Sequence, residues 1–486
     1  MIDKHANIFS IKHVVLTEVA RHAYIGDLDE VRDQLPFEMI PGPNANFRCC
    51  VYREREIIRQ RIRLAEGKSP DGKDSKGIIQ VISSACEDCP ITRFSVTSNC
   101  QRCMSRRCQQ ACKFGAISIK DDRAYIDPSI CKECGKCAQA CPYNAIADLV
   151  RPCKKSCPVK AIQMDPETQL CVIDESKCIS CGACVESCPF GAIATKTYMV
   201  DVIEAIKAGK RVVAMVAPAI EGQFGGDVTM ANLFAAIREL GFSEVVEVAL
   251  GGDLTAAYES LEWAEAYKEG KKMTTSCCPA FVNMIRKHYP SLMKNVSTTV
   301  SPMCALSRLL KATDPEVVTV FVGPCFAKKS EVVEFGIEGN ADYCLTINEV
   351  RCMMRARDIQ IEKGEPDLQH GSIYGKRFGN AGGVTEAVLQ AMKEKGVDTS
   401  KMTVQRCSGG EECKKALMLL RAGRFPADFI EGMACPGGCV NGPGSVKFAA
   451  EAKKDRDNLI AQADRREIWE NLSKYEELNH ISMHRE

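Results

Sequence analysis

Residues 131–142 read CKECGKCAQACP, three closely spaced cysteines and a fourth followed by proline. Three thiolates at this spacing wrap one iron–sulfur cubane, and the fourth reaches across to a neighbouring cluster. A partner run lies upstream at Cys100, Cys103, Cys108 and Cys112, with a longer middle gap and Lys113 where the proline would be. Exchange of fourth ligands then gives one cluster on Cys100, Cys103, Cys108 and Cys141. The other falls on Cys131, Cys134, Cys137 and Cys112. Zinc also uses Cys-x-x-Cys pairs, but paired four-cysteine runs at this spacing fit iron–sulfur better. A small, loop-rich α+β module must surround them.

Working outward, the hexapeptides CKFGAI (112–117), CPYNAI (141–146), CPVKAI (157–162) and CPFGAI (188–193) share the form Cys-x-x-x-Ala-Ile. Each pair is separated by roughly thirty residues, the mark of an internal repeat. The runs resemble those of bacterial ferredoxins. They predict tandem ferredoxin-like domains: a two-cluster unit over residues 81–148 and a second, partly degenerate one over 149–200. In the second copy Cys178, Cys181 and Cys184 are intact, and Cys157 can supply the crossing ligand. Cys153 and Cys188 would need two further thiolates to hold a fourth cluster. Cys86 and Cys89 are the preferred pair and Cys171 the competitor.

The chain carries 29 cysteines in 486 residues, an odd count, and nineteen of them lie before residue 200. A disulfide framework belongs to small secreted chains with even counts, so thiolates held by metal are the better account. Sixty-four Lys and Arg against 63 Asp and Glu leave a net charge of +1, which gives no support to nucleic-acid binding. The longest apolar run, Val212 to Ile220, is too short to span a bilayer. The start MIDKHANIF lacks the basic and apolar regions of a signal peptide, so a cytoplasmic location is expected.

Residues 1–80 read as a mostly helical, charged region of unassigned role, with a polar linker at 66–76 and two ordinary thiols at Cys49 and Cys50. From residue 201 to 450 the texture changes to strands alternating with helices. Val212–Val216, Val245–Leu250 and Val317–Val322 read as strands, and Met230, Leu233, Phe234, Ile237 and Leu240 fall at helical spacing. That alternation predicts an α/β domain with a largely parallel sheet. Residues 451–486 read as a charged C-terminal helix. Within the α/β region lie TSCCPA (275–280), GPCFAKKSE (323–331) and EGMACPGGCVNG (431–442). Their separation suggests one multi-thiolate centre assembled from distant loops. Glycines around Cys439 let backbone amides approach an anionic group, and Cys325 precedes a lysine pair.

In this order, behind cysteine-rich modules, TSCCPA, PCxAKKxE and MACxxGCxxG resemble the three signatures of the iron-only (FeFe) hydrogenases. The resemblance implies two lobes with mainly parallel sheets around a buried cluster. It implies an H-cluster, a 4Fe–4S cubane joined to a two-iron unit bearing carbonyl, cyanide and a bridging dithiolate amine, beside three to four further 4Fe–4S clusters. Cys278, Cys325 and Cys435 would hold the cubane and Cys439 would bridge to the two-iron unit. Lys328 would hydrogen-bond a cyanide and Met433 would pack by the bridging carbonyl. The shorter matches Ala217-Pro218 and Gly382-Gly383 would line the cofactor. Cys277 would pass protons outward along Glu259 and Glu262, one helical turn apart, with the Ser301 hydroxyl between them. Departures are Gly323 in place of a methionine, Gly442-Pro443-Gly444 in place of three glycines, and Ala266 where an arginine ends the relay.

The activity implied is reversible interconversion of protons and electrons with dihydrogen. Lowering proton activity by seven decades puts that couple at roughly −410 mV, beside the about −400 mV of plant-type ferredoxins. Ferredoxin or a similar low-potential carrier is the implied partner, and maturases must install the two-iron unit. The alternative is a hydrogen sensor or an iron–sulfur assembly factor of the same superfamily. A nickel–iron enzyme is disfavoured, because no Cys-x-x-Cys pair lies near the C-terminus, where the last cysteine is Cys439. Direction of turnover and oligomeric state are left open at this level.

Overall fold

The computed structural model describes every residue except 1, 3–5, 74, 88, 90, 91, 364–367, 447, 448 and 486. The helix Ile8–Ile25 opens on Asn7, whose side chain accepts the Ser10 amide, and stops at Gly26 with φ of 96°. Its buried face, Ile11, Val15, Val19, Ala20 and Ala23, packs on the helices Met199–Lys207 and Ile347–Ala356. Those side chains share one apolar cluster with Val212, Ala214, Val320 and Leu345 of the α/β region. The N-terminal helices are therefore built onto the α/β core and are not an appendage. The helix Val51–Ala65 is fixed by buried Glu54, which accepts the backbone amides of Asn46, Phe47 and Arg48.

The cysteine-rich modules are nested, which corrects the expected tandem boundaries. Ile79–Val81 pairs antiparallel with Ile193–Thr195, and Ile162–Met164 with Cys171–Ile173. Between them Phe94–Val96 pairs with Ile146–Asp148, and Ile117–Lys120 forms a hairpin with Arg123–Ile126. Asp121 and Asp122 turn that hairpin with positive φ. The outer module, about residues 93–149, is thus inserted into an inner module built from residues 77–92 and 150–196. The opening strands are three residues long, too short for any alternation to show in the sequence.

The α/β region holds two parallel sheets. The first runs Glu244–Glu247, Val212–Val216, Val318–Gly323, Tyr343–Thr346, and every residue of Val212–Val216 is buried. The second runs Met273–Thr274, Phe429–Met433, Val404–Ser408. The run Val245–Leu250 divides: the strand ends at Glu247 and the helix Ala249–Lys268 begins. Trp263 on that helix stacks on Phe429, ring centroids 4.2 Å apart, and locks it to the second sheet.

The C-terminal segment is not a single helix. It forms Ala449–Ile460, Ile468–Leu472 and a short 3-10 turn, then an extended end whose His484 bridges to Thr299. Ile468, Leu472 and Met483 are buried in the α/β core and anchor it. Among the described residues no helix is long and apolar enough to cross a membrane.

Candidate metal centre and active site

The ligand cysteines predicted from the sequence stand at the C-terminal ends of parallel strands, where α/β sheets place their functional groups. Cys278 follows Met273–Thr274 and caps the helix Pro279–His288. Cys325 follows Val318–Gly323 and caps Phe326–Glu334. Cys435 follows Phe429–Met433, and Cys439 opens a 3-10 turn. Two helix N-termini thus face the thiols, and their dipoles favour an anionic group there. Gly437 and Gly438 adopt φ of 80° and 101°, and a side chain on Gly438 would strike the Gly379 carbonyl. The Cys439 amide donates to that same carbonyl at 2.7 Å.

The four thiols lie close enough to repel one another as anions. Burial, reinforced by Cys278 and Cys439, pushes the Cys325 thiol up to about 12. Cys435 is raised well above its ordinary value by burial and by Cys325, Cys278 and Cys439. Burial lifts Cys439 to about 11, against the pull of Lys328 and Arg456. Buried thiols of this kind are inert unless a metal replaces their protons. Four of them converging, with two cations nearby and a cradle that only glycine fits, suit a bulky anionic metal cluster.

Lys328 is 7% exposed and donates to Glu331 at 2.6 Å and to Ser301 at 2.7 Å. Burial alone would lower its pKa, but the Glu331 carboxylate wins and holds the ammonium above the usual lysine value. Ser301 donates in turn to Glu331 at 2.6 Å. This corrects its expected place between Glu259 and Glu262: Ser301 belongs to the lysine's ion pair. The neighbouring Lys329 is structural, binding Glu349 at 2.5 Å and the Lys196 carbonyl at 2.9 Å, and so ties the inner module to the α/β core.

Met433 is buried at the end of its strand, and its carbonyl accepts from Gly409 at 2.7 Å. Ala217 is buried, and a side chain on Gly323 would come within 3.1 Å of its Cβ. Pro218 presents its carbonyl to Arg456 Nε at 3.2 Å. The amides of Gly382 and Gly383 are used within the fold. Gly382 donates to Glu431 at 2.7 Å and Gly383 to the Asn380 carbonyl at 3.0 Å. Arg456 was missed by the sequence reading. It is 1% exposed, also bonds Asn380 and the Lys376 carbonyl, and lies near enough to Cys439 to act on its charge. Nothing in a charged C-terminal pattern distinguishes it from its solvated neighbours.

Cys277 is buried beside Glu259, Cys278 and Cys439, and burial raises its thiol well above the usual range. Glu259, fully buried, is pushed up to about 8 by desolvation and by the nearby Glu262. It accepts the Ser276 amide at 3.3 Å and a hydrogen bond from Ser297. Ser297, not Ser301, is therefore the hydroxyl at Glu259. Glu262 accepts the Thr298 amide at 2.9 Å and contacts His484 Nδ1 at 2.8 Å.

The other predicted thiol groups are also brought together. Cys178, Cys181 and Cys184 act on one another and on Cys157, Cys108 on Cys141 and Cys103, and Cys103 on Cys100. Cys137 faces Cys131 and Cys112; Cys134 is exposed on the same loop. Cys89 faces Cys188, Cys86 and Cys153. Cys171 touches this last group too: its amide donates to Cys86 Sγ at 3.3 Å, and its hydrogen bond to Cys153 lowers that thiol to about 7. Cys181 in turn lies beside Cys435, so the inner module abuts the four-thiol centre. Cys49 and Cys50 are exposed at the start of Val51–Ala65.

Residues 210–443 match the family model "Iron only hydrogenase large subunit, C-terminal domain". Residues 124–147 match a 4Fe-4S binding domain and 147–199 the LdpA Fe-S cluster-binding domain. The chain is 30% identical over 408 residues to iron hydrogenase 1 of Clostridium pasteurianum, covering 72% of this chain and 69% of that protein. It is 30% identical over 304 residues to the periplasmic Fe hydrogenase large subunit of Nitratidesulfovibrio vulgaris, covering 51% of this chain and 72% of that one. A probable cytosolic Fe-S cluster assembly factor of Brugia malayi is 24% identical over 299 residues, 51% of this chain and 66% of that protein. Joined to the converging thiols, these likenesses make the chain a member of the iron-only hydrogenase family.

Proposed function

We propose that this chain is a hydrogenase, interconverting two protons and two electrons with dihydrogen. The observation that carries the reading is Cys277, buried between the four-thiol centre and Glu259. Cys278, Cys325, Cys435 and Cys439 would hold the H-cluster, which when bound supplies the redox chemistry and the site where hydrogen is made or split.

The chain's own residues then have separable tasks. Two of the three Lys328 N–H bonds go to Glu331 and Ser301, which orients the ammonium and leaves a third donor for an anionic ligand of the cluster. Met433, Ala217 and Pro218 wall the centre. Cys277 holds a proton at its sulfur and exchanges it with Glu259. With burial lifting Glu259 to about 8, that carboxyl is mostly protonated at neutral pH yet ionises readily, as a relay group must. Ser297 donates to Glu259, and the Thr299 amide beside it donates to Ser297 while the Thr299 hydroxyl donates to Glu262, which carries the path outward.

Electrons would enter through the outer module, on Cys100, Cys103, Cys108 and Cys141 and on Cys131, Cys134, Cys137 and Cys112. They would pass to the inner module, on Cys86, Cys89, Cys153 and Cys188 and on Cys178, Cys181, Cys184 and Cys157. The charge influence of Cys181 on Cys435, and the packing of Gly182 against Phe326 and Pro443, support this last link. A ferredoxin is the proposed carrier, maturases the proposed source of the two-iron unit, and the cytoplasm, which keeps thiols reduced, the proposed compartment.

Assembly factors among the relatives supply the second reading. Cys277, Lys328 and Met433 together favour turnover, because assembly alone needs neither a proton donor nor an oriented ammonium at the centre. An anaerobic infrared spectrum of the matured protein should show iron-bound carbonyl and cyanide stretches, and their absence would reduce the chain to an electron conduit. Cys277→Ala should keep those bands and lose hydrogen turnover by a factor on the order of a hundred or more; full activity would remove Cys277 from the proton path.

A further inference from the structure

The helix Ala249–Lys268 carries both relay carboxylates, and the exposed Glu265 stands one turn past Glu262, but the hydrogen-bond partners of Glu262 lie off this helix. One turn past Glu262 stands Ala266, apolar and 6% exposed. The titratable side chain hydrogen-bonded to Glu262 comes from the far end of the sequence. His484 Nδ1 lies 2.8 Å from Glu262 Oε1 and 2.9 Å from Thr298 Oγ1. The His484 side chain is 42% exposed and that of Glu262 only 17%, so the ring joins a shielded carboxylate to water.

The tail is held at this spot with more than a chance contact. The Val300 amide donates to the Met483 carbonyl at 2.8 Å, and the Arg485 amide to the Thr298 carbonyl at 2.7 Å. Arg308 donates to the His484 carbonyl at 3.0 Å, and Arg485 Nη2 to the Ser276 carbonyl at 2.8 Å. Met483 is fully buried. Tyr258 meets the imidazole edge-on with centroids 6.0 Å apart. The backbone bonds and Met483 suffice to pin the tail; none of them requires an imidazole against a carboxylate.

We propose that His484 is the outer proton port of this chain, exchanging protons between Glu262 and bulk water. This rests on the hydrogenase reading above. In the uptake direction protonated Glu262 gives its proton to His484 Nδ1, and the imidazolium releases one proton to water. In the reverse direction water protonates the ring and Glu262 receives the proton; no electron moves in either step. The charged groups around the ring are Glu262 and, behind it, Glu259, with Arg485 beside it on the tail and Arg308 from the helix Pro302–Thr313.

Two measurements on the full chain test this. In the matured protein His484→Gln, which keeps polarity but cannot titrate, should lower hydrogen turnover at least about tenfold with carbonyl and cyanide bands unchanged. Imidazole added to the buffer should restore much of the rate, a rescue that a merely structural role would not allow. His480→Gln, on the exposed turn of the same tail, should change nothing. In the chain without its two-iron unit, nitrogen NMR should show the His484 Nδ1 resonance moving in Glu262→Gln, since the hydrogen bond to the carboxylate at 2.8 Å is replaced. Full turnover in His484→Gln, a loss that imidazole does not rescue, or an unmoved Nδ1 resonance would each overturn the proposal. Wild-type protein with no diatomic bands and no turnover would overturn the hydrogenase reading and this port with it, so the two failures are distinct.

Discussion

The outer and inner cysteine-rich modules carry the same ligand spacing in opposite surroundings. In the outer module Cys134 is exposed, and hydrogen bonds from the Ala124 amide to Cys100 and from Ser105 to Cys103 lower those thiols. In the inner module burial raises Cys178, pushes Cys181 up to about 12, and raises Cys184 further. One motif therefore serves two environments. Burial raises Cys108 and Cys137 of the outer copy too, but it is the inner copy that packs against the α/β core, and exposure and nearby charge are the levers on cluster potential.

The sharpest way to break this comparison is to remove equivalent ligands. Cys134→Ala and Cys181→Ala should each cost one cluster's iron and sulfide. Only Cys181→Ala should abolish hydrogen turnover, by a factor on the order of a hundred or more, when a small reduced dye is the donor. Equal losses from both would deny the inner module its place beside the four-thiol centre. Iron analysis and dye-linked hydrogen assay read the two effects.

A second contrast lies one residue further along each run. Gly135 and Gly182 both have left-handed backbones, with φ of 74° and 82°. A methyl group on Gly135 would sit 3.3 Å from the Phe94 ring, whereas on Gly182 it would come within 2.6 Å of both Phe326 and Pro443. Gly135→Ala should cost about 1 kcal/mol of backbone strain. Gly182→Ala should cost about 2–4 kcal/mol, because it also overpacks the seam with the catalytic core. Thermal unfolding of the two variants would show the gap, and equal shifts would mean the seam yields freely.

The smallest effect concerns charge. Lys12, from the N-terminal helix, is pushed down to about 8 by burial and by Arg61, while the nearby Cys188 pulls it back up. Arg61 is likewise buried beside Cys188. Removing a cation there disfavours the more negative, reduced cluster. Lys12→Ala should lower the potential of the Cys188 cluster by about 30–60 mV, with no change in the outer module. Redox titration followed by electron paramagnetic resonance would resolve the two.

The cysteine groupings were legible because they are written in local spacing: the thiols of CPYNAI and CPFGAI fall with the partners their runs predict, without reference to the rest of the chain. The four-thiol centre was legible from its three motifs themselves; of the strands that precede them only Val318–Gly323 could be read as an apolar run, while Met273–Thr274 and Phe429–Met433 were not read. What escaped was everything supplied from afar or by ordinary residues. Ser301, next to a proline in a motif-rich stretch, was expected beside Glu259, where Ser297 stands instead, because both are serines and only packing says which one faces Glu259. Arg456 and His484 lie in a polar tail whose pattern resembles solvated surface. The strands Ile79–Val81 and Phe94–Val96 were too short to announce the nesting.

That nesting sets an order of events as the chain is made. The outer module has all its strands and thiols by residue 149 and can close on itself while synthesis continues, with loops spanning only tens of residues. The inner module cannot close until Ile193–Thr195 returns to Ile79–Val81, so its thiols wait unpaired while its guest is already complete. The outer module is thus finished before the module that joins it to the four-thiol centre.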